Sequence, residues 1–374
     1  MTMKRKASLF VCMTLFVLSV VPLINIKLGT EKEVYKSWSR AMLYSLDFAL
    51  PYLSHFFYPL GISTYPNEVI IGKNDWLYLG DQYEKTMTVT RRGANLKDVE
   101  ASRKIGLSTK SWEQWLKHKG VSLFQVMLGP DKTTVYPEFL PDWVKPVTYS
   151  ATDMLLVNVS QGLYIDTRPD LIKAKAQFSE PLYYKTDTHW NSLGAWVAFR
   201  AFTKEVDRKG VRLLWLSDQQ VRISKVKERK GGDLAKFLRM SDMLQDSEIV
   251  MEIDSKYPIE TKQYDFEKGD LTLSGGNPVI QAPKRPLLVK SEHALNQKKV
   301  LWLRDSFGAA MAPFMAATFT ETLQIHYDEA TPVLFARLVN DYKPDYVFIT
   351  VVERSSRGEF FENIPLQTIV AQYK

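Results

Sequence analysis

Thr186-Asp187-Thr188-His189-Trp190-Asn191 and Arg304-Asp305-Ser306-Phe307-Gly308 put an acid, a base and a hydroxyl nucleophile into one chain, in that order. A serine hydroxyl attacks a carbonyl when a neighbouring imidazole takes its proton, and the imidazole needs a carboxylate to hold its tautomer and stabilise its cation. Asp187 and His189 are two residues apart, so an extended loop lets both reach one site, whereas Ser306 must be delivered by folding. Each residue also has a plainer role: Ser306 as a helix cap, His189 as a structural partner of Asp187, Asp305 as the cap of its own turn. Asp-x-His can supply two metal ligands, but His55, His118, His293 and His326 show no spacing that completes a site, so no metal is expected.

The surrounding pattern predicts alternating helix and strand. Ile105, Trp112, Trp115 and Leu116 give residues 98–119 an apolar helical face closed by Gly120, and Val121 to Leu128 then reads as a buried strand ending in Gly129-Pro130-Asp131-Lys132. After His189, Asn191 or Ser192 can cap a helix whose apolar face is Leu193, Trp196, Val197 and Phe202 and which Gly210 ends. Val300-Leu301-Trp302-Leu303 is of buried-strand type and residues 308–319 are small and apolar at helical spacing. Ser306 therefore falls on a strand-to-helix turn, where backbone N–H groups meet a developing oxyanion. Residues 322–327 and 346–352 read as strands separated by a helix over 332–341. These elements predict an α/β fold with a parallel sheet flanked by helices. Residues 246–290 read as a β-rich insertion that caps the cleft or decorates its rim.

Lys4, Arg5 and Lys6 precede an uncharged run from Ala7 to Ile26, long enough to cross a bilayer. With no small-x-small cleavage site after it, an uncleaved anchor is favoured over a secretory signal, and the basic flank predicts export of everything from Lys27 onward, into the periplasm of a bacterium. The expected organisation is an anchor over 1–27, a juxtamembrane helical segment over 28–65 and a catalytic domain over 66–374. In the second of these, Trp38, Met42, Leu43, Leu46 and Phe48 recur at helix-like intervals until Pro51 interrupts them. The only cysteine, Cys12, lies inside the apolar run, so the exported part has no internal disulfide. The three basic residues before the run account for part of the formal charge of +7, leaving +4, and no basic patch interleaved with aromatics argues for nucleic acid.

Several motifs in order resemble the AlgJ/AlgX-type alginate O-acetyltransferase family of SGNH-hydrolase-like proteins. They are Gly72-Lys73-Asn74-Asp75-Trp76-Leu77-Tyr78, Gly129-Pro130-Asp131-Lys132 with Val135-Tyr136-Pro137, Tyr184 through Asn191, Gly232-Asp233-Leu234, Arg304 through Gly308, and Lys343-Pro344-Asp345 to Glu353-Arg354. Acid and base precede the serine, the reverse of ordinary SGNH esterases and the order associated with this family. The resemblance implies an SGNH-like domain that transfers acetyl groups to hydroxyls of an exported polysaccharide, with Ser306 as nucleophile, His189 as base and then acid, and Asp187 as the orienting carboxylate. It implies no bound cofactor. The donor would come from a membrane-bound O-acyltransferase partner that moves acetyl groups across the inner membrane. The backbone N–H of Ser306 supplies one oxyanion donor, and Asn74 and Arg304 are candidates for the second, with Lys132 and Asn191 as substrate-orienting candidates. An acetyl esterase with the same triad and a noncatalytic scaffold of the acetylation complex are the alternative functions.

Overall fold

Three runs of apolar residues, too short for helices and without the polar alternation of a half-exposed strand, form the centre of the molecule. In the computed structural model, which describes residues 3–31, 40–145 and 147–363, these runs are parallel strands buried on both faces. In chain order the strands are β1 (Val69–Ile71), β2 (Leu77–Leu79), β3 (Leu123–Gly129), β4 (Tyr164–Asp166), β5 (Val221–Lys230) and β6 (Gln245–Ile253). They continue with β7 (Glu260–Asp265), β8 (Leu271–Ser274), β9 (Leu287–Glu292), β10 (Asn296–Arg304), β11 (Phe319–Ile325) and β12 (Tyr346–Val352). The main sheet runs β4-β3-β12-β10-β11-β9-β7-β8. Its first five strands are parallel, and β9, β7 and β8 extend it antiparallel.

Side chains alternate across each strand, so the sheet separates two apolar layers. Val347, Ile349 and Val351 of β12 face Ile105, Trp112 and Leu116 of the helix Leu96–His118 and Phe335 of the helix Pro332–Tyr342. Tyr346 and Phe348 face the other way, onto Trp196, Phe199 and Phe202 of the helix Ser192–Arg208. Fully buried aromatics of this kind are worth about 3–5 kcal/mol each against alanine. The first helix starts at a reciprocal cap: Asn95 accepts from the N–H groups of Lys97 and Asp98, and Asp98 accepts from that of Asn95.

The segment over 246–290 divides its strands between two places. β7, β8 and most of β9 lengthen the main sheet, while β6 pairs with β5 in a separate antiparallel ribbon. The helix Leu50–Phe57 takes Pro51 into its first turn, where a missing N–H costs nothing, so the proline begins this helix. Residues 32–39 of the expected juxtamembrane helix, Trp38 among them, and residues 364–374 of the expected catalytic domain lie outside the described residues. The apolar helix Met3–Glu31 contains one stretch, Lys4–Leu28, long and apolar enough to cross a membrane. Near its end Asn25 donates to the carbonyls of Leu43 and Ser45, both at 2.8 Å.

Candidate active site

β10 delivers Ser306, and Asp305 holds the turn that presents it. One Asp305 carboxylate oxygen accepts the N–H of Phe307 at 2.9 Å and the other that of Val352 at 2.6 Å, tying the carboxyl ends of β10 and β12 together. Burial pushes this carboxyl above the ordinary aspartate range, against the pull of those two donors. Ser306 then opens a single 3-10 turn, Ser306–Gly308. A Cβ on Gly308 would lie 2.5 Å from the Arg304 side chain, so only glycine lets the turn close this tightly. The Phe307 ring packs 4.8 Å from that of Trp190, whose Nε1 donates to the Phe307 carbonyl at 2.9 Å and so couples the serine turn to the histidine loop.

On that loop His189 Nδ1 lies 2.7 Å from Asp187 Oδ1, and Nε2 lies 2.7 Å from Ser306 Oγ. The acceptor role of the carboxylate assigns the proton to Nδ1 and leaves Nε2 free to accept from the serine hydroxyl. The second oxygen of Asp187 faces the Asp233 N–H at 3.3 Å and the Arg229 guanidinium at 3.4 Å. Gly232 permits that approach, because a Cβ there would sit 2.3 Å from Asp187 Oδ2. Burial disfavours the Asp187 carboxylate, but the hydrogen bond and charge of His189, the His189 N–H and Arg229 outweigh it, holding the group well below the ordinary carboxylate range. For His189, burial favours the neutral ring, yet the bond and charge of Asp187 and the charge of Asp233 together raise its pKa above the ordinary value. The three side chains can therefore take the serine proton, hold the resulting imidazolium and return the proton to a leaving group.

Asp233 is the neighbour that sequence reasoning left without a role. Its carboxylate lies 3.7 Å from His189 Nδ1 and accepts from the Thr188 N–H at 2.8 Å and the Thr188 hydroxyl at 2.5 Å. Asp187, His189 and Asp233 present possible metal ligands within 4.8 Å of one another, a third donor that a search of the histidines alone misses. Each donor already belongs to the hydrogen-bonded chain, and a cation here would displace the bonds that assemble it. Gly232-Asp233-Leu234 carried the available signal as a motif, without pointing to His189.

Of the four auxiliary candidates, three are engaged by other partners and the fourth stands away from the cleft. Lys132 is buried beneath the loop and donates to the carbonyls of Tyr184 at 3.0 Å, Lys185 at 2.9 Å and Asp187 at 2.7 Å, with its pKa pushed down to about 8 by burial. Asn191 caps the helix Ser192–Arg208, accepting from Leu193 and Gly194 and donating to the Pro181 carbonyl at 2.6 Å. Arg304 is fully buried under the turn and donates to Gln324 and to the carbonyls of Ile280 and Gln281, so its guanidinium is spent on the sheet extension. Asn74 stands exposed in the β1–β2 turn with φ of 53°, outside the cleft lining. Arg354 does line the cleft beside Ser306, and its guanidinium pairs with Asp131. The cleft over Ser306 and His189 encloses about 440 Å³.

Fold and site together define an SGNH-hydrolase-like α/β protein. The chain belongs to the family described as "SGNH hydrolase-like domain, acetyltransferase AlgX", whose model matches residues 69–278, a span that contains Asp187 and His189 and stops short of Ser306. It is similar to the "Probable alginate O-acetylase AlgJ" of Pseudomonas aeruginosa, 23% identical over 180 residues, 48% of this chain. The matched part covers less than half of that relative, 43% of its length. Among solved structures, PatB1 of Bacillus cereus has a TM-score of 0.58 at 16% identity, with 78% of this chain and 98% of that chain covered. A DHHW family protein of Eubacterium siraeum has a TM-score of 0.53 at 17% identity, covering 81% of this chain and 96% of the other. At these identities the likeness is one of fold.

Proposed function

We propose that this protein is an O-acetyltransferase that moves an acetyl group through an acyl-serine on Ser306 to hydroxyls of an exported polysaccharide. One observation carries the reading: the unbroken chain of 2.7 Å contacts from Asp187 through His189 to Ser306 at the floor of an open cleft. His189 takes the serine proton as Oγ adds to the donor's carbonyl, and the Ser306 N–H supports the oxyanion. The donor group leaves with that proton. A sugar hydroxyl then adds to the acyl carbon, gives its proton to His189, and Ser306 departs carrying it.

Membership of the acetyltransferase family supports transfer over simple hydrolysis, and the helix Met3–Glu31 supports attachment to the outer face of the bacterial inner membrane. There the site would receive acetyl groups from a membrane-bound O-acyltransferase partner, with no cofactor of its own. The test uses the full-length chain in detergent with 4-nitrophenyl acetate and a deacetylated oligosaccharide. Wild type should release nitrophenol and acetylate the sugar, while Ser306→Ala loses about 10³-fold or more of both. Equal rates in the two proteins would remove Ser306 as nucleophile, and acetate without acetylated sugar would make the protein an esterase.

A further inference from the structure

One lip of the cleft is built in a conformation that ordinary residues avoid. After β2, Glu84 and Lys85 follow each other with φ of 52° and 49°, both in the left-handed region. Such a pair persists only where surrounding bonds over-determine it. Asp81 accepts from the Thr88 N–H and hydroxyl, both at 2.6 Å, the Thr86 hydroxyl donates to the Tyr83 carbonyl at 2.7 Å, and the Gln82 N–H donates to the Asn67 carbonyl at 2.8 Å. The result turns Gln82, Tyr83 and Glu84 toward the space over Ser306 and His189.

Tyr83 is 38% exposed and its ring stacks on that of Phe237, 5.7 Å between centroids and 18° from parallel. Phe237 ends the short helix that Asp233 begins, so this aromatic plate is joined to the acid–base network by five residues of chain. A flat ring flanked by an amide and a carboxylate suits a sugar: the C–H face packs on the aromatic surface and the hydroxyls bond to the polar neighbours. The charge of the lining narrows the choice. Glu84 and Asp233 bring two carboxylates to the cleft, and the cation among its described lining residues, Arg354, is paired with Asp131. An ionised uronate would meet like charges here, whereas a neutral ring would not.

The geometry points to Gln82, Tyr83 and Glu84, backed by Phe237, as the acceptor subsite for an uncharged sugar ring stacked on Tyr83. This rests on the acyl-serine reading given above. In the transfer step the sugar oxygen bonds to the acetyl carbon, the Ser306 Oγ–acyl bond breaks, and the hydroxyl proton passes through His189 Nε2 to Ser306 Oγ.

The full-length protein in detergent, given 4-nitrophenyl acetate, would be offered a gluco-oligosaccharide and a mannuronate oligosaccharide of equal length, with acetylated sugar and free acetate both quantified. Wild type should use the neutral acceptor about tenfold more efficiently. Tyr83→Ala should lower the ratio of acetyl transferred to acetate released by about tenfold, and Tyr83→Phe should restore it. A variant that merely folds poorly lowers both products in proportion and leaves the ratio intact, as does an irrelevant Tyr83, so an unchanged ratio overturns the subsite. Equal or better use of the mannuronate acceptor by wild type overturns the neutral-sugar assignment. Ser306-dependent acetate with neither sugar acetylated overturns the transferase reading itself, and the acceptor subsite with it.

Discussion

The turn that carries Ser306 and the loop that carries His189 meet at one 2.7 Å contact, yet they are held by different means. The serine turn is fixed by its own neighbourhood: β10 ends, Asp305 binds the next N–H but one and the end of β12, and Gly308 closes the turn. The histidine loop ends no strand of the main sheet, and its backbone is tied by its own Tyr183–Trp190 bridge and by the Leu77 N–H of β2, which donates to the Lys185 carbonyl at 2.9 Å. It hangs from side chains far away in sequence, with Lys132 gripping three of its carbonyls and Asp246 accepting the Thr186 N–H and hydroxyl, both at 2.7 Å. Gly232 and Asp233 close against the acid from a third segment. A nucleophile needs one position, which a sheet provides. A base that must swing charge between two partners needs its loop held from several sides.

The largest effect on this pairing should come from Asp187→Asn. The amide cannot hold the proton on Nδ1 or stabilise the imidazolium, and kcat should fall about 10⁴-fold while the fold is retained, as read by single-turnover kinetics beside circular dichroism. A loss below tenfold would make Asp187 a structural partner of the histidine. Next is Lys132→Met, which keeps the stem's bulk but takes the lysine donor from the buried carbonyls of Tyr184 and Asp187, leaving that of Lys185 its bond from the Leu77 N–H at 2.9 Å. Stability should drop by about 2–4 kcal/mol in urea titration, with activity falling as the loop loosens. Asp305→Ala frees two backbone N–H groups on the other side of the contact but also removes a buried carboxyl whose raised pKa marks its desolvation. It should cost about 1–2 kcal/mol. If Asp305→Ala proves the more damaging of the two, the serine turn is the part that depends more on its supports, and the histidine loop the part that holds itself.

The same contrast explains what the sequence disclosed. Tyr346–Val352 was legible to its exact ends and the helix Pro332–Tyr342 to within a residue, because apolar runs and a proline start are local signals. β5 was not: Lys225, Val226, Lys227 and Glu228 are all exposed, so no apolar period marks a strand that pairs only with β6. Arg304, next but one to Ser306, was a candidate for the second oxyanion donor, but it is the last residue of β10 and points into the layer where Gln324 of β11 and the Ile280 carbonyl await it. Asn191 was legible as a helix cap, but its bond to the Pro181 carbonyl was not, and Lys132 looked like a free cation because the carbonyls of Tyr184, Lys185 and Asp187 that it meets are placed by folding alone. That Asp187, His189 and Ser306 would be brought together was readable from residue type and order. Of their supports, only the Asp305 cap was local enough to read; those that hold the histidine loop are contacts between segments that no spacing reveals.

The smallest effect separates the two carboxylates that face His189. For a base to act, the imidazole must be neutral, so activity falls as pH drops through its pKa. Although burial favours the neutral ring, Asp187 and Asp233 together raise that pKa, which places the acid limb of the kcat/KM profile above about pH 6.5, the ordinary histidine value. Asp233→Asn keeps an oxygen for the Thr188 hydroxyl and removes a charge 3.7 Å from Nδ1, so the imidazolium loses one of its two stabilising anions. The limb should move to lower pH, because the imidazolium loses the charge of Asp233 while Asp187 still holds it. At pH 6 the variant should then retain a larger fraction of its plateau activity than wild type does. A limb that stays in place while the plateau falls would give Asp233 a purely mechanical task, holding Thr188. A limb that moves would make the histidine loop a two-carboxylate device, in which one acid orients the base and the other sets the pH at which it works.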